Sequence, residues 1–205
     1  MKKWTTTCGC KVYQVNEGRS NSYLVLDDDV SILIDTGLGN SKTGLIKKLD
    51  HLLGERSLSY LILTHTHFDH VGNAALLKKM YEARIIVHES EAKNLECGKT
   101  LIPQGTNPLT RFLVKIGRKI KKFNEYPHVE PDYLVGEKHY LTPKCYLIHT
   151  PGHSEGSMSL IVNDEVALVG DAMVGIFWWS VFPAFADDVP SLITSWDKLL
   201  KTGCN

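Results

Sequence analysis

Short apolar runs alternating with amphipathic stretches set the layout of this chain. SYLVLD (22–27) and SILID (31–35) read as strands joined by the acidic turn DDDV, a hairpin signal. TGLIKKLDHLLG (43–54) carries Leu45, Leu49, Leu52 and Leu53 at helical spacing and closes on Gly54. YLILT (60–64) reads as a buried strand, NAALLKKMYEA (73–83) as a helix with Asn73 as candidate N-cap, and RIIVH (84–88) as a further strand. Strand patterns return at KCYLIHT (144–150), SMSLIVN (157–163) and EVALVG (165–170). An aromatic loop follows, and VPSLITSWDKLLKTG (189–203) predicts a closing helix. This alternation predicts a layered α/β domain over 1–205, with two strand-rich blocks around a less regular middle.

The middle, about 91–135, reads as a basic helical insertion. It holds the loop signal PQGTNP and then LTRFLVKIGRKIKKF (109–123). Leu109, Phe112, Leu113, Ile116, Ile120 and Phe123 share one helical face. Arg111, Lys115, Arg118, Lys119, Lys121 and Lys122 make the remainder basic, with no acid among them. The expectation is a surface helix packed on the domain, its basic face in water. A lid that attracts an acidic substrate, and a membrane-surface or RNA-binding helix, are the alternatives.

Composition narrows the function classes. Lys+Arg and Asp+Glu both number 23, so no global attraction to nucleic acid or anionic membrane is expected. Two lysines near the N-terminus precede no apolar run, and no stretch is apolar enough to span a bilayer. A cytoplasmic protein is expected, without a transmembrane segment. Five cysteines then read as free thiols. The close pair Cys8 and Cys10 has no second pair to complete a metal or redox site.

Chemistry concentrates in THTHFDHVG (64–72), where His65, His67, Asp69 and His70 fall at the end of an apolar strand. Residues two apart on an extended strand point the same way, so His65 and His67 can converge on one ion. Buried without a partner, such groups would cost several kcal/mol, on the order of 2–7 each. A metal removes that cost. His149 and His153 lie in CYLIHTPGHSEGS, with Gly152 and Gly156 bracketing His153 as a tight loop. Asp171 directly follows the strand VALVG, where a helix cap or turn residue is the other reading.

Taken in order, THTHFDHVG, HTPGHSEGS and GDAMV resemble the metallo-β-lactamase-fold hydrolase superfamily, and LIDTGLG (33–39) is similar to its early Asp-x-Gly turn. The resemblance covers roughly residues 20–203. It implies a four-layer αββα sandwich with a dinuclear site at one edge of two sheets. It assigns His65, His67 and His153 to one ion and Asp69, His70 and Asp171 to the other, with Asp171 bridging and Asp35 supporting a ligand. His149 is not a ligand in that pattern. His51, His88, His128 and His139 are expected to do surface or core duty. Two divalent ions are implied, zinc first, with iron or manganese also suited to imidazole and carboxylate.

The superfamily's last histidine has no counterpart, because no histidine follows His153. A chain shortened before that histidine and the last strand is the expectation. Water or Cys204 in its place, or a single-metal site, are the other readings. Metal lowers the pKa of bound water to near 7, which implies a hydroxide nucleophile oriented by Asp69. His67 stands where the oxygen-reducing diiron branch carries Glu, which favours hydrolysis. A small ester, thioester or lactone is the expected substrate. A nuclease of the same superfamily, with nucleic acid disfavoured by the charge balance, and a metal-binding module of weak activity are the alternatives. Phe177, Trp178, Trp179, Phe182 and Phe185 are candidates to wall the cleft or to pack beneath the last helix.

Overall fold

The computed structural model describes residues 1–175 and 180–204. Two sheets face each other. One has seven strands in sequence order: β1 (Lys3–Thr5), β2 (Lys11–Asn16), β3 (Ser22–Asp27), β4 (Val30–Ile34), β5 (Tyr60–Ile62), β6 (Arg84–His88) and β7 (Tyr133–Val135). The other has four strands in the order β11 (Val166–Leu168), β10 (Met158–Val162), β9 (Cys145–His149) and β8 (Lys138–Tyr140). β1 to β4 form an antiparallel meander, whereas β4 to β7 run parallel. The acidic turn closes the β3–β4 hairpin, with Asp28 at φ 45° as a tight hairpin requires.

The layers follow from strand alternation. Leu24, Leu33, Leu61 and Ile85 point outward onto α1 (Lys42–Leu53), meeting Leu45, Leu49 and Leu53. Leu77 of α3 (Ala74–Tyr81) and Leu95 of α4 (Ala92–Cys97) complete that layer. Their neighbours Val25, Ile32, Ile34, Ile62 and Ile86 point inward and meet Leu147, Leu160 and Val162 between the sheets. Ile148 and Ile161 face the other way and pack on Trp196 and Leu199 of α6 (Val189–Leu200). The result is the αββα sandwich, each buried Leu or Ile contributing about 1.5–3 kcal/mol. No helix among the described residues is long and apolar enough to cross a membrane.

Parallel strands need long crossovers, and that need places the helices. The chain between β6 and β7 is one such crossover. It contains α4 and α5 (Pro108–Gly117), so the basic segment lies between neighbours of one sheet. Asn107 and Thr110 form a reciprocal capping box at the start of α5, with Pro108 in its first turn. One expectation is corrected here. The helix is seated through Thr110, Val114 and Gly117, while Leu109, Phe112, Leu113, Ile116 and Ile120 remain 41–68% exposed. Only Phe123 of that apolar row is drawn in, against Phe68 at 5.5 Å between ring centroids. Asn73 occupies the N-cap position of α3 as expected, but its side chain makes no capping hydrogen bond; its amide donates to the Thr36 and Leu38 carbonyls and ties that helix to the β4 exit loop.

Candidate metal centre

The site forms where the parallel strands end, the usual place for ligands in α/β sheets. The exit of β4 carries Asp35, the exit of β5 carries Thr64 to His67, and α2 (Phe68–Val71) carries Asp69 and His70. The loop after β9 brings His153, and the turn after β11 brings Asp171. Gly152 makes the His153 loop possible. Its φ is +133°, and a Cβ there would meet the Leu192 backbone nitrogen at 2.4 Å. Gly152→Ala is therefore expected to destabilise the protein by about 2 kcal/mol or more, read as a lowered Tm.

His65, His67, His70 and His153 are all buried, with ring centroids of His67, His70 and His153 lying 4.5, 4.1 and 4.7 Å from that of His65. Among the described residues, two groups at this site have ligand atoms mutually within 4.8 Å: His65, His67 and His153, and His65, His70 and Asp171. His65 belongs to both, and Asp171 of the second reaches toward the first. Its Oδ1 lies 3.2 Å from His70 Nε2 and its Oδ2 lies 3.6 Å from His153 Nε2.

The surrounding hydrogen bonds fix which ring nitrogens are bare. The Phe185 carbonyl can only accept, so His153 Nδ1 at 2.9 Å carries the proton. Asp35 Oδ2 receives His70 Nδ1 at 2.7 Å. The Thr64 hydroxyl donates to that same oxygen at 2.8 Å, which leaves it to accept from His65 Nδ1 at 3.1 Å. In its neutral form each of these rings turns an unprotonated Nε2 inward. The Nε2 atoms of His65 and His70 are buried and make no hydrogen bond; the His70–Asp171 approach is close but poorly angled. His67 Nδ1 and His153 Nε2 face each other at 3.0 Å. Converging bare imidazole nitrogens beside carboxylates are the donor set of a divalent cation, so the residues fit one.

Electrostatics favour the neutral ring at His65 and His67 and a held proton at His70. Burial, reinforced by the neighbouring histidines, holds His65 well below its ordinary pKa, and burial with His153 pushes His67 down to about 3. Burial also opposes charge on His70, but Asp171 and Asp35 outweigh it and raise its pKa. His70 is thus the position where a cation would replace a proton held by two carboxylates.

Asp69 stands in the same cleft but outside both ligand groups, its Oδ2 paired with Arg19 Nε at 3.0 Å. Arg19 also lies over the Phe68 and Phe123 rings. Asp35 sits at φ +55° and supports His70 as expected. His149 is stacked on His88 at 4.0 Å and bonded to Glu137, and Cys204 packs beside Ile148 and Leu199, outside both ligand groups. Phe185 lines the cleft, Phe182 packs edge-on against Trp196, and Phe177, Trp178 and Trp179 lie outside the described residues. A third group, Cys10, Asp27 and Cys145, has its carboxylate already taken by Cys10, Lys144 and Thr142.

Sequence reasoning missed Glu91. It is buried, accepts from Ser154 Oγ at 2.6 Å and from Thr66 Oγ1, and so joins the loop of His65 and His67 to that of His153. Thr100 and Tyr126 extend the network behind Thr66. The only signal was a second carboxylate shortly after the end of RIIVH, which pattern alone does not separate from a surface helix.

The fold and site together define a metal-binding αββα hydrolase. Residues 15–202 match the model of the metallo-beta-lactamase superfamily, and the chain belongs to that superfamily as one of its metallo-hydrolases. It is similar to an uncharacterized Bacillus subtilis protein, YobT, at 33% identity over 81% of this chain and 71% of that one. It is similar to a Haemophilus influenzae hydroxyacylglutathione hydrolase at 25% identity, over 80% of this chain and 71% of the relative. Among solved structures, a subclass B3 metallo-beta-lactamase of Bradyrhizobium japonicum matches with TM-score 0.64 and 25% identity, covering 91% of this chain and 69% of that one. Across three of its relatives the chain spans 59% to 71% of their length.

Proposed function

We propose that the chain hydrolyses a small ester, thioester or lactone, with His65, His67 and His153 holding one divalent ion, zinc first, and His70 and Asp171 a second, beside Asp69. The observation that carries this reading is the convergence of bare, buried ring nitrogens whose outer nitrogens are fixed by Thr64, Asp35 and the Phe185 carbonyl. When bound, such ions polarise a substrate oxygen and make water a nucleophile at neutral pH.

The protein groups have separate tasks. Asp171 belongs to the second group and approaches His153 of the first, which supports reading it as a bridging carboxylate. Asp69 accepts a hydrogen bond from the attacking water and aims it, while Arg19 fixes the Asp69 rotamer. Phe68, Ile102, Pro103 and Phe185 wall the cleft with apolar surface suited to the acyl part of a substrate. The name of the Haemophilus relative, a hydrolase of an acylated thiol, supports the acyl reading.

Elemental analysis of protein purified without chelators is expected to find about two ions per chain. The loaded protein is expected to turn over a member of an ester, thioester and lactone panel. Full loading with no turnover on that panel would sink the substrate class. A chain that binds no divalent ion would sink the whole reading.

A further inference from the structure

The segment Lys99–Asn124 contains seven basic residues and no acidic one, although the whole chain is neutral, so the rest of the molecule is net acidic. Among the described residues, none of these cations is in an ion pair with a carboxylate. Over α5 and its C-cap residue Arg118 the surface divides into three sectors. Thr110, Val114 and Gly117 face the protein. Arg111, Lys115 and Arg118 form a cationic flank. Leu109, Phe112, Leu113 and Ile116 form an apolar stripe in water, 48–68% exposed. Ile120 continues the stripe, and Lys119, Lys121 and Lys122 surround it.

An exposed apolar stripe edged by cations without a carboxylate partner is the chemistry of a helix lying in a lipid interface. The apolar side chains enter the acyl boundary, and the long basic side chains reach back to anionic headgroups. We infer that α5 and the turn after it dock this chain on an anionic lipid surface. Charge complementarity selects that occupant. A second copy meeting the stripe symmetrically would set two uncompensated basic segments against each other. Nucleic acid would neutralise the cations but leave the apolar stripe in water. The capping box and Pro108 hold the helix formed before it binds, so docking carries little ordering cost.

The docked face adjoins the metal centre. A groove lined by Leu113, Ile116, Ile120 and Phe123 shares Arg19, Ile102 and Phe185 with the cleft. Docking therefore brings the mouth of the cleft close to the lipid headgroups.

The test is co-sedimentation of the full chain with vesicles, which needs neither metal nor turnover and so stands apart from the hydrolase reading. Wild type is expected to sediment with phosphatidylglycerol-rich vesicles, less so at high salt, and weakly with pure phosphatidylcholine. Phe112→Ser combined with Ile116→Ser alters exposed positions only, so an unchanged Tm confirms the fold. It is expected to lower partitioning by about tenfold or more. Lys119→Glu with Lys122→Glu is expected to abolish the preference for phosphatidylglycerol. Absence of wild-type binding overturns the inference, as does equal binding by the Phe112→Ser/Ile116→Ser variant. A wild-type dimer that this variant dissociates, with no vesicle binding by either, assigns the stripe to a second copy and also overturns it.

Discussion

Asp69→Asn lowers kcat by about 10²- to 10⁴-fold while bound metal and Tm stay close to wild type. The amide keeps an oxygen that can ligate or accept, so the cleft retains its shape. What is lost is the negative charge that draws the proton from an attacking water. The stability effect is small because the Asp69 partner in the fold is Arg19, a side chain 52% exposed, and half-exposed pairs contribute up to about 1 kcal/mol. Arg19→Gln separates the two tasks of Asp69, since it frees the carboxylate without removing it. If Asp69→Asn turns over at the wild-type rate with full metal, Asp69 does not orient the nucleophile. If the variant loses metal instead, Asp69 acts as a ligand before anything else.

Glu91→Ala destabilises the protein by about 3 kcal/mol and weakens metal binding by about 10- to 100-fold. The first effect arises because the hydroxyls of Thr66 and Ser154 lose their common acceptor in a buried place. The second arises because those hydroxyls belong to the residue between His65 and His67 and to the residue after His153. Burial works against the charge of Glu91, but hydrogen bonds from Ser154 and Thr66 and the nearness of His67 outweigh it and keep its pKa low. A fixed negative charge behind the site also favours a cation in front of it. Thermal melts of chelator-treated protein report the first effect, and competition against a zinc chelator reports the second. Glu91→Gln retains one acceptor oxygen and should fall between wild type and Ala in the melt. Metal affinity equal to wild type in both variants would leave Glu91 a purely structural tie.

The sandwich was legible because its strands carry their own addresses. In SYLVLD, RIIVH and SMSLIVN the apolar residues fill both faces, which marks strands covered on two sides, and their extents agree with the sequence reading to within a residue at either end. The clustered histidines were legible for a different reason: polar groups at the ends of buried strands demand a partner. What could not be read is what depends on distant partners. β1 and β8 are exposed three-residue strands with little apolar signature, defined by the neighbours they pair with. Glu91 is a charged residue in a polar stretch until the fold sets it behind two loops. The basic helix shows the limit most sharply. Its periodicity identified the apolar stripe correctly, but periodicity records which residues share a face and not which way the face points.

The tie between His67 and His153 spans 86 positions of chain and joins a loop of one sheet to a loop of the other. Groups so far apart in sequence meet only after both sheets have docked, late in a folding reaction already slowed by its parallel pairings. An ion added during refolding therefore finds no site to nucleate, and the rate of refolding should be indifferent to it. Its whole effect falls on the reverse reaction, where bound metal must leave before the loops can part. In a cell, metal supply would then set how long each folded molecule lasts and leave the pace of folding unchanged.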